Sequence, residues 1–327
     1  MKPIAIRVDE RVELLAVLAH LSTYDRRLRA FLKADPLPPT NLFYHSVIDH
    51  FSDDADAPAV RLFDRLTTNP RFMFDAPVRL FLSLDREETD GCDPELAERC
   101  GDRALLDDVR SASLEFLSAS RFRAFIRANA ASYARLERGV ADWLGGGDPI
   151  GTLESYLGLS NSTYRVILAP LLIGNYGAYL TGAAGREACA VVTPVNDGGL
   201  SFGSGDHVLG IAWHEFLHSF VNDLTAGFLR RAGSASLSGV AVDEAMRSRA
   251  YPEAKQVIDE SVIRALVVRL FSFTGKAEHA ARLSAWEREA GFVRVPALIE
   301  LLREYEADRA SYATIVDFYP RLLSVFE

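Results

Sequence analysis

The sequence predicts a mainly helical α+β fold in which a small β-sheet precedes a long helix. Apolar residues recur at three- and four-residue spacing over most of the 327 residues, which is typical of amphipathic helices. Two short β-rich runs interrupt this spacing between residues 164 and 195, and helical spacing resumes after Asp206. We therefore expect a mainly helical N-terminal region over residues 1–150 and a second region over residues 151–327. The two regions could also form one continuous structural unit.

Helical spacing dominates the N-terminal region. It predicts an amphipathic helix over residues 9–33, stopped by the proline-rich segment 35–39, and then short helices. Acidic residues concentrated over 85–110 indicate a solvated face or loop. Helical spacing returns from Leu114 to Leu144 and ends at three successive glycines.

The β-rich part and the following helices have recognisable boundaries. Residues 164–173 and 188–195 are predicted strands. Residues 200–202 are a short edge strand able to pair with an extended peptide, or else a turn or a core strand. The long helix has Asp206 as its predicted N-cap and Gly227 as its predicted stop. A further helix is predicted from Pro252 to Thr274, because proline suits a first helical turn and Gly275 follows its end.

Composition excludes several classes of function. The formal net charge is -9, and no basic stripe is present, which argues against a nucleic-acid binder. The three cysteines, Cys92, Cys100 and Cys189, form neither a CxxC pair nor a disulfide framework. No uncharged apolar stretch approaches the length of a membrane span, and charges interrupt the apolar run that a signal peptide requires. We expect a cytoplasmic location for the sequence as it stands, with export of a longer precursor left open.

The most informative motif is HExxH, formed by His214, Glu215 and His218. Residues four apart on a helix share one face, so the two histidines can bind a single metal ion. Apolar residues at helical spacing surround the motif and predict that it lies on a helix with one buried side. The alternative is a pair of core histidines satisfied by ordinary hydrogen bonds.

A catalytic zinc needs a third protein ligand and an open position for water. On the predicted helix 252–274, Gln256, Glu260 and Arg264 form one polar stripe in a largely apolar helix, and such a stripe requires a partner. This pattern favours Glu260 over its neighbour Asp259, because adjacent helical residues diverge by about 100 degrees. The acidic candidates downstream of the motif are Asp223, Asp243, Glu244, Glu253, Asp259, Glu260 and Glu278.

Four segments cover long stretches of the chain: WHEFLHSFVNDL, IDESVIRAL, RVDERVELLAVLAHLSTY and ESYLGLSNSTYRVILAPLLIGNYGAYL. They resemble an uncharacterised bacterial domain-of-unknown-function family placed among the gluzincin peptidases. It implies a zincin-like catalytic region that binds one zinc ion through His214, His218 and Glu260. It also implies Glu215 as catalytic base and a peptide or protein as substrate.

Two features depart from the thermolysin-like pattern. The interval from His218 to Glu260 is longer, and Arg264 stands where that pattern has an aspartate. Asn222 or Asp259 could instead orient a ligand histidine, and Arg264 could pair with the ligand carboxylate or with a substrate carboxylate.

The implied mechanism is hydrolysis of a peptide bond by a zinc-bound water that Glu215 activates as general base. It also needs a hydrogen-bond donor for the oxyanion. Tyr251 and His279 are the preferred candidates, and the further downstream candidates are Tyr305, Tyr312 and Tyr319.

Two other interpretations stay open. Ser201 lies in a G-x-S-x-G motif over residues 199–203, and Asp243 or Asp259 with His279 would complete a serine hydrolase triad in the required order. The β-rich part is short for that fold. The chain could also be a non-catalytic binding protein that kept a zincin-like fold. The glycosylation sequon at Asn161 is interpreted as a loop.

Overall fold

The computed structural model describes residues 2–32, 42–84, 94–182, 185–195, 200–232, 246, 251 and 253–326. The predicted mainly helical α+β fold is confirmed. Predictions that name Cys92, Asp243, Glu244, Pro252 or Gly199 lie outside the described residues. So do the segments 33–41 and 85–93, which include the proline-rich stop and the start of the acidic stretch.

The described chain divides into two compact units that alternate along the sequence. One, which we call the sheet unit, comprises residues 4–146 and 163–212; the other, the helical unit, comprises residues 1–3, 147–162 and 213–327. The chain crosses between the units at four places, one of them close to residue 150. Whether residues 1–150 form a domain of their own stays a prediction.

The sheet unit contains four strands and eight helices among its described residues. The strands are β1 (Ile4–Arg7), β2 (Thr163–Leu168), β3 (Tyr176–Gly182) and β4 (Gly185–Val192). The helices are α1 (Glu10–Leu21), α2 (Tyr24–Leu32), α3 (Leu42–Phe51), α4 (Pro58–Thr67), α5 (Asp75–Leu82), α6 (Pro94–Cys100), α7 (Arg103–Ser118) and α8 (Ser120–Leu144).

The sheet has the strand order β1-β2-β4-β3. β1 and β4 both pair with β2 in parallel, and β3 runs antiparallel to β4. Two predicted strands correspond to β2 and β4, but β2 ends at Leu168 rather than residue 173, ahead of Pro170, which has no N–H to donate. The sequence did not predict β1, which has only four residues, or β3, which contains glycine.

The short run 200–202 does not form the predicted edge strand. Its residues have no strand conformation, and the Val195 N–H donates to the Ser201 carbonyl at 2.8 Å. Gly203 follows with a φ of 79°, so the chain turns immediately after Phe202. Residues 200–202 are therefore irregular, with a bend at Leu200, and form neither an edge strand nor a core strand.

Two helical stretches that the sequence joins are divided. Ser22 is extended between α1 and α2, within the predicted helix 9–33. Ala119 is extended between α7 and α8, within the predicted helix 114–144. In both cases the chain can keep helical spacing on either side of one extended residue, so the apolar pattern alone does not reveal the break.

The core of the sheet unit is built around α1. Val12, Leu15, Val17 and Leu18 are fully or almost fully buried, and α1 packs against α2, α3, α4, α5 and α7. Glu13 lies on the same helix and is completely buried. Its Oε2 accepts a hydrogen bond from the Tyr133 hydroxyl at 2.6 Å, while its Oε1 has no partner among the described residues.

Burial raises the pKa of Glu13 to about 7, partly offset by the hydrogen bond from Tyr133. The folded chain therefore binds this proton more tightly than the unfolded chain. The resulting stabilisation is complete below the ordinary glutamate pKa of 4.5 and is lost as the pH rises through 7. We expect the free energy of unfolding to fall by about 3 kcal/mol between pH 4.5 and 8 on account of this group.

Glu13→Gln should remove this part of the pH dependence, which denaturant unfolding at pH 5 and pH 8 would measure. Glu115→Gln, on the exposed surface of α7, is the matched control and should leave the dependence unchanged. If the free energy of unfolding of Glu13→Gln fell between pH 5 and pH 8 as much as that of the unsubstituted chain, the assignment to Glu13 would be wrong.

The helical unit contains α9 (Pro149–Leu157), α11 (Ala254–Phe273), α12 (Ala277–Glu289), α13 (Val295–Ala307) and α14 (Ile315–Leu323). It also contains the greater part of α10 (Gly205–Ala232), from Trp213 onward. α11 packs against α9, α12 and α13. No helix among the described residues is long and apolar enough to cross a membrane.

α10 is longer than the sequence predicts. The backbone N–H of His207 donates to the Ser204 hydroxyl, so Ser204 rather than Asp206 caps the helix. Gly227 does not end it, because the helix continues to Ala232. A glycine inside a helix costs about 1 kcal/mol relative to alanine, and packing of neighbouring residues such as the buried Thr225 offsets that cost.

The sequon residue Asn161 lies in the predicted loop after α9. Its side chain is buried, and its Nδ2 donates to the Ser219 hydroxyl of α10 at 2.7 Å. This contact fixes the loop against the helix that carries HExxH.

Candidate metal centre

α10 carries His214, Glu215 and His218 in its part that belongs to the helical unit. A neighbouring face of the helix is apolar and buried, with Trp213 and Leu217 almost completely inaccessible. The Trp213 indole N–H also donates to the carbonyl of Pro149 at 3.0 Å, which fixes the rotation of the helix. The two histidine rings are 5.2 Å apart between centroids and inclined by 71°.

α11 brings Glu260 to the two histidines. Its Oε2 lies 3.5 Å from His214 Nε2, and its Oε1 lies 3.5 Å from His218 Nε2. One ligand atom from each of the three residues can be chosen so that all lie within 4.8 Å of one another. The structure therefore brings together the three residues predicted as metal ligands.

The spacing of these atoms suits a small tetrahedral ion. Zinc binds histidine nitrogen and carboxylate oxygen at about 2.0–2.2 Å, so two ligand atoms at the tetrahedral angle lie about 3.4 Å apart. Each histidine Nε2 has one Glu260 oxygen at 3.5 Å, close to that value, and the two distances end on different oxygens of the carboxylate. Two histidines and a glutamate are also one of the ligand sets found in catalytic zinc sites.

Asn222 orients one of the histidines. Its Oδ1 lies 3.2 Å from His218 Nδ1, one helical turn further along α10. With a proton on Nδ1 donated to Asn222, the Nε2 lone pair of His218 is left facing Glu260 and free for a metal. This is the contact predicted for Asn222 from the sequence.

Glu215 borders the same atoms. Its Oε2 lies 3.9 Å from His218 Nε2, and the residue is buried. Burial raises the pKa of the Glu215 carboxyl, and the neighbouring charges of His214 and His218 offset part of the increase. Such a carboxyl takes up a proton more readily than an exposed glutamate, as a general base requires.

Glu260 is held ionised by its surroundings. Burial acts to raise the pKa of its carboxyl, but the charges of His214 and Arg264 outweigh burial and hold it well below the usual range. Arg264 donates to Glu260 Oε2 at 3.0 Å from one turn along α11. In turn, burial acts to lower the pKa of His218, but the Glu260 and Glu215 carboxylates raise it overall.

A family model for a domain of unknown function (DUF4932) matches residues 4–325. The chain belongs to this family. No curated protein and no solved structure matches it. The resemblance to a domain-of-unknown-function family is thus confirmed, and the match of this DUF4932 chain covers both units rather than the HExxH segment alone.

In this DUF4932 chain the two preferred oxyanion donors occupy different surroundings. The Tyr251 hydroxyl is 3.4 Å from Arg264 Nη2, and burial together with the Glu260 charge raises its pKa. His279 instead packs its ring against Phe271, with centroids 4.3 Å apart. None of its described contacts reaches His214, His218 or Glu260. Tyr251 therefore has the closer connection to the candidate ligands.

The other downstream tyrosines have structural contacts in the described part of the DUF4932 chain. The Tyr305 hydroxyl donates to the carbonyl of Tyr156 at 2.7 Å, and Tyr312 packs against Phe318. The Tyr319 hydroxyl is 2.6 Å from the Thr225 hydroxyl.

Asp259 faces a different direction from Glu260. Its Oδ2 accepts from Lys255 Nζ at 2.5 Å, and burial raises the pKa of its carboxyl while Lys255 offsets part of the increase. The group of described side chains that could hold a metal ion contains Glu260 and not Asp259. The polar stripe predicted this difference in direction, because the two side chains leave α11 on different faces.

The sequence did not single out Glu287. This buried residue of α12 accepts from Arg264 Nη1 with both carboxylate oxygens, at 3.1 and 2.8 Å. The Phe292 ring lies under the same guanidinium, 4.1 Å from its carbon to the ring centroid. Both Nη atoms of Arg264 are therefore engaged by protein groups, while its Nε has no hydrogen-bond partner among the described residues. The contact with the candidate ligand carboxylate is observed, and a contact with a substrate carboxylate stays a prediction.

Proposed function

We propose that this chain is a zinc-dependent hydrolase that cleaves peptide bonds and binds one zinc ion through His214, His218 and Glu260. The observation that carries the proposal is the position of the Glu260 carboxylate, whose two oxygens each lie 3.5 Å from the Nε2 of one histidine of the HExxH motif. A chance pair of core histidines does not require a buried carboxylate between their Nε2 atoms.

The balance of buried charge supports a divalent cation. Glu215, Glu260 and Glu287 are all buried, and Arg264 is the guanidinium that contacts two of them. In the state that binds a metal the histidines are neutral, and these four side chains with ionised carboxylates then carry two uncompensated negative charges. Buried charges of this kind are costly unless paired, and a zinc ion would balance them.

When bound, zinc supplies a Lewis acid that polarises a carbonyl and makes water more acidic. Glu215 is placed to accept a proton from the attacking water and to return it to the leaving amine, because its carboxylate borders the candidate ligand atoms. Asn222 fixes the tautomer of His218 through Nδ1. Glu260 completes the ligand set from a second helix.

Tyr251 is proposed as the donor to the developing oxyanion. Its phenol oxygen can accept a hydrogen bond from Arg264, which leaves the phenol proton free for another acceptor. The raised pKa keeps this proton on the oxygen at neutral pH. The choice of peptide bonds as the substrate rests on the resemblance of residues 213–224 and 258–266 to the family placed among the gluzincin peptidases.

No described contact favours the serine hydrolase alternative. Ser201 Oγ accepts a hydrogen bond from the backbone N–H of Gly203, which is an ordinary turn contact. A non-catalytic zinc-binding protein would share the metal ligands, and only an activity measurement separates it from the proposed enzyme.

Zinc titration of matched variants tests the ligand set. We expect one zinc per unsubstituted chain, and we expect Glu260→Gln to lose at least about tenfold in zinc affinity, as expected for changes at or next to a metal ligand. Asp259→Asn is the matched control, because it makes the same chemical change one residue earlier on the same buried helix. It should retain affinity.

The reverse order of affinities would move the ligand to Asp259. If both variants bound zinc as tightly as the unsubstituted chain, neither Glu260 nor Asp259 would be a ligand. A chain without stoichiometric zinc after exposure to excess metal would refute the proposed function itself.

A further inference from the structure

The Glu287–Arg264–Glu260 row of side chains connects α12 to the candidate metal centre. Arg264 Nη1 donates to both oxygens of Glu287, and Arg264 Nη2 donates to Glu260 Oε2. Glu287 has 4% of its surface exposed and Glu260 has 7%, so solvent does not screen these charges effectively.

An uncompensated guanidinium would be unfavourable at this position. Arg264 contacts Glu260 Oε2, the carboxylate oxygen that lies 3.5 Å from His214 Nε2, and Oε2 belongs to the candidate ligand carboxylate. A positive charge there competes with a dication for the same carboxylate and repels the dication itself. The Glu287 carboxylate contacts the other Nη of the guanidinium, and its negative charge offsets this repulsion.

The surroundings also fix the plane of the guanidinium. Phe292 packs against its face, and the backbone N–H of Phe292 donates to the Glu287 carbonyl at 3.0 Å. Glu287 and Phe292 therefore form one local structure at the end of α12 that holds Arg264 from two directions. The planar guanidinium can contact two carboxylates at once, which a lysine ammonium could not reproduce in this geometry.

We propose that Glu287 is a positioning residue of the metal centre: it neutralises Arg264 and thereby lets Glu260 bind zinc strongly while Arg264 keeps the Glu260 carboxylate in place. This inference rests on the proposed function. Glu287 does not contact the ligand histidines in the described structure and acts through Arg264.

The variant Glu287→Gln tests the proposal through zinc affinity, measured by competition with a chromophoric chelator. The substitution preserves side-chain size and removes the charge, and we expect affinity to fall about tenfold or more. Glu287→Asp retains the charge and should recover most of the affinity. Arg264→Met combined with Glu287→Gln removes both charges and should bind zinc more strongly than Glu287→Gln alone, although it also loses the contact that holds Glu260.

If Glu287 had a purely structural role, the double variant would bind zinc no more strongly than Glu287→Gln alone. Glu306→Gln is the matched control, because Glu306 accepts two hydrogen bonds from Arg269 within the same unit. It should leave zinc affinity unchanged. Thermal unfolding of each metal-free variant checks that it is folded.

Unchanged affinity in Glu287→Gln, or a double variant that binds zinc no more strongly than the single one, would overturn the inference while leaving zinc binding by His214, His218 and Glu260 intact. A failure of the unsubstituted chain to bind zinc would instead overturn the proposed function together with the inference. The two kinds of failure are therefore distinguishable in the same set of titrations.

Discussion

Replacement of Glu215 by glutamine should leave zinc bound and the fold intact while lowering peptide hydrolysis by about 10²- to 10⁴-fold, the usual contribution of a general base. The amide has nearly the same shape as the carboxylate but cannot accept the proton of the attacking water. Since Glu215 is not one of the three candidate ligands, the substitution removes the base without removing a metal contact. The buried position also makes glutamine well tolerated, because it carries no charge.

Digestion of a peptide library by the unsubstituted chain and by Glu215→Gln would measure this effect, with zinc content determined on the same samples. The comparison should show loss of kcat with little change in KM, because the base acts in the transition state. Full activity in Glu215→Gln would rule out this mechanism. Hydrolysis that survives complete removal of zinc would point to a different nucleophile.

Loss of either histidine should abolish stoichiometric zinc binding. His214→Ala or His218→Ala leaves one histidine and Glu260, which are too few protein ligands for a catalytic zinc site. In the unsubstituted structure each Glu260 oxygen lies near the imidazole of one histidine. Either substitution leaves the carboxylate with a single imidazole beside it. We expect residual zinc well below one ion per chain, and hydrolysis at the background rate.

Metal analysis after dialysis is the measurement, and His279→Ala is the matched control. His279 belongs to the same unit but packs against Phe271, so its removal should not change the zinc content. Retention of one zinc per chain by His214→Ala or His218→Ala would show that the ligand set is wrong.

The grouping of His214 and His218, and the choice of Glu260 over Asp259, were predictable because each depends on the spacing of residues within one helix. The spacing of His214 and His218 places them on one helical face, and the period of α11 separates Glu260 from Asp259 by direction. Both arguments depend only on helix geometry. Asn222 follows from the same geometry, one turn beyond His218, and the structure shows that contact.

Other features depend on packing between distant segments and could not be obtained in this way. Glu287 resembles any charged residue of α12 until that helix packs against α11 and buries it. β1 is too short to be recognised without its partner β2, since four residues fit several conformations. Gly227 was predicted to end α10, but the helix continues to Ala232 because its packing outweighs the preference of glycine for helix ends.

The parallel pairing of β1 with β2 has a consequence for how the protein is made. Ile4 pairs with Tyr164, so the first strand emerges from the ribosome long before its partner exists. Contacts this distant in sequence form slowly, because the intervening chain must lose much of its entropy first. The N-terminal helices can collapse during synthesis, but the sheet cannot close until β2 and then β4 have been translated. A nascent chain released before that point would expose an unpaired parallel strand.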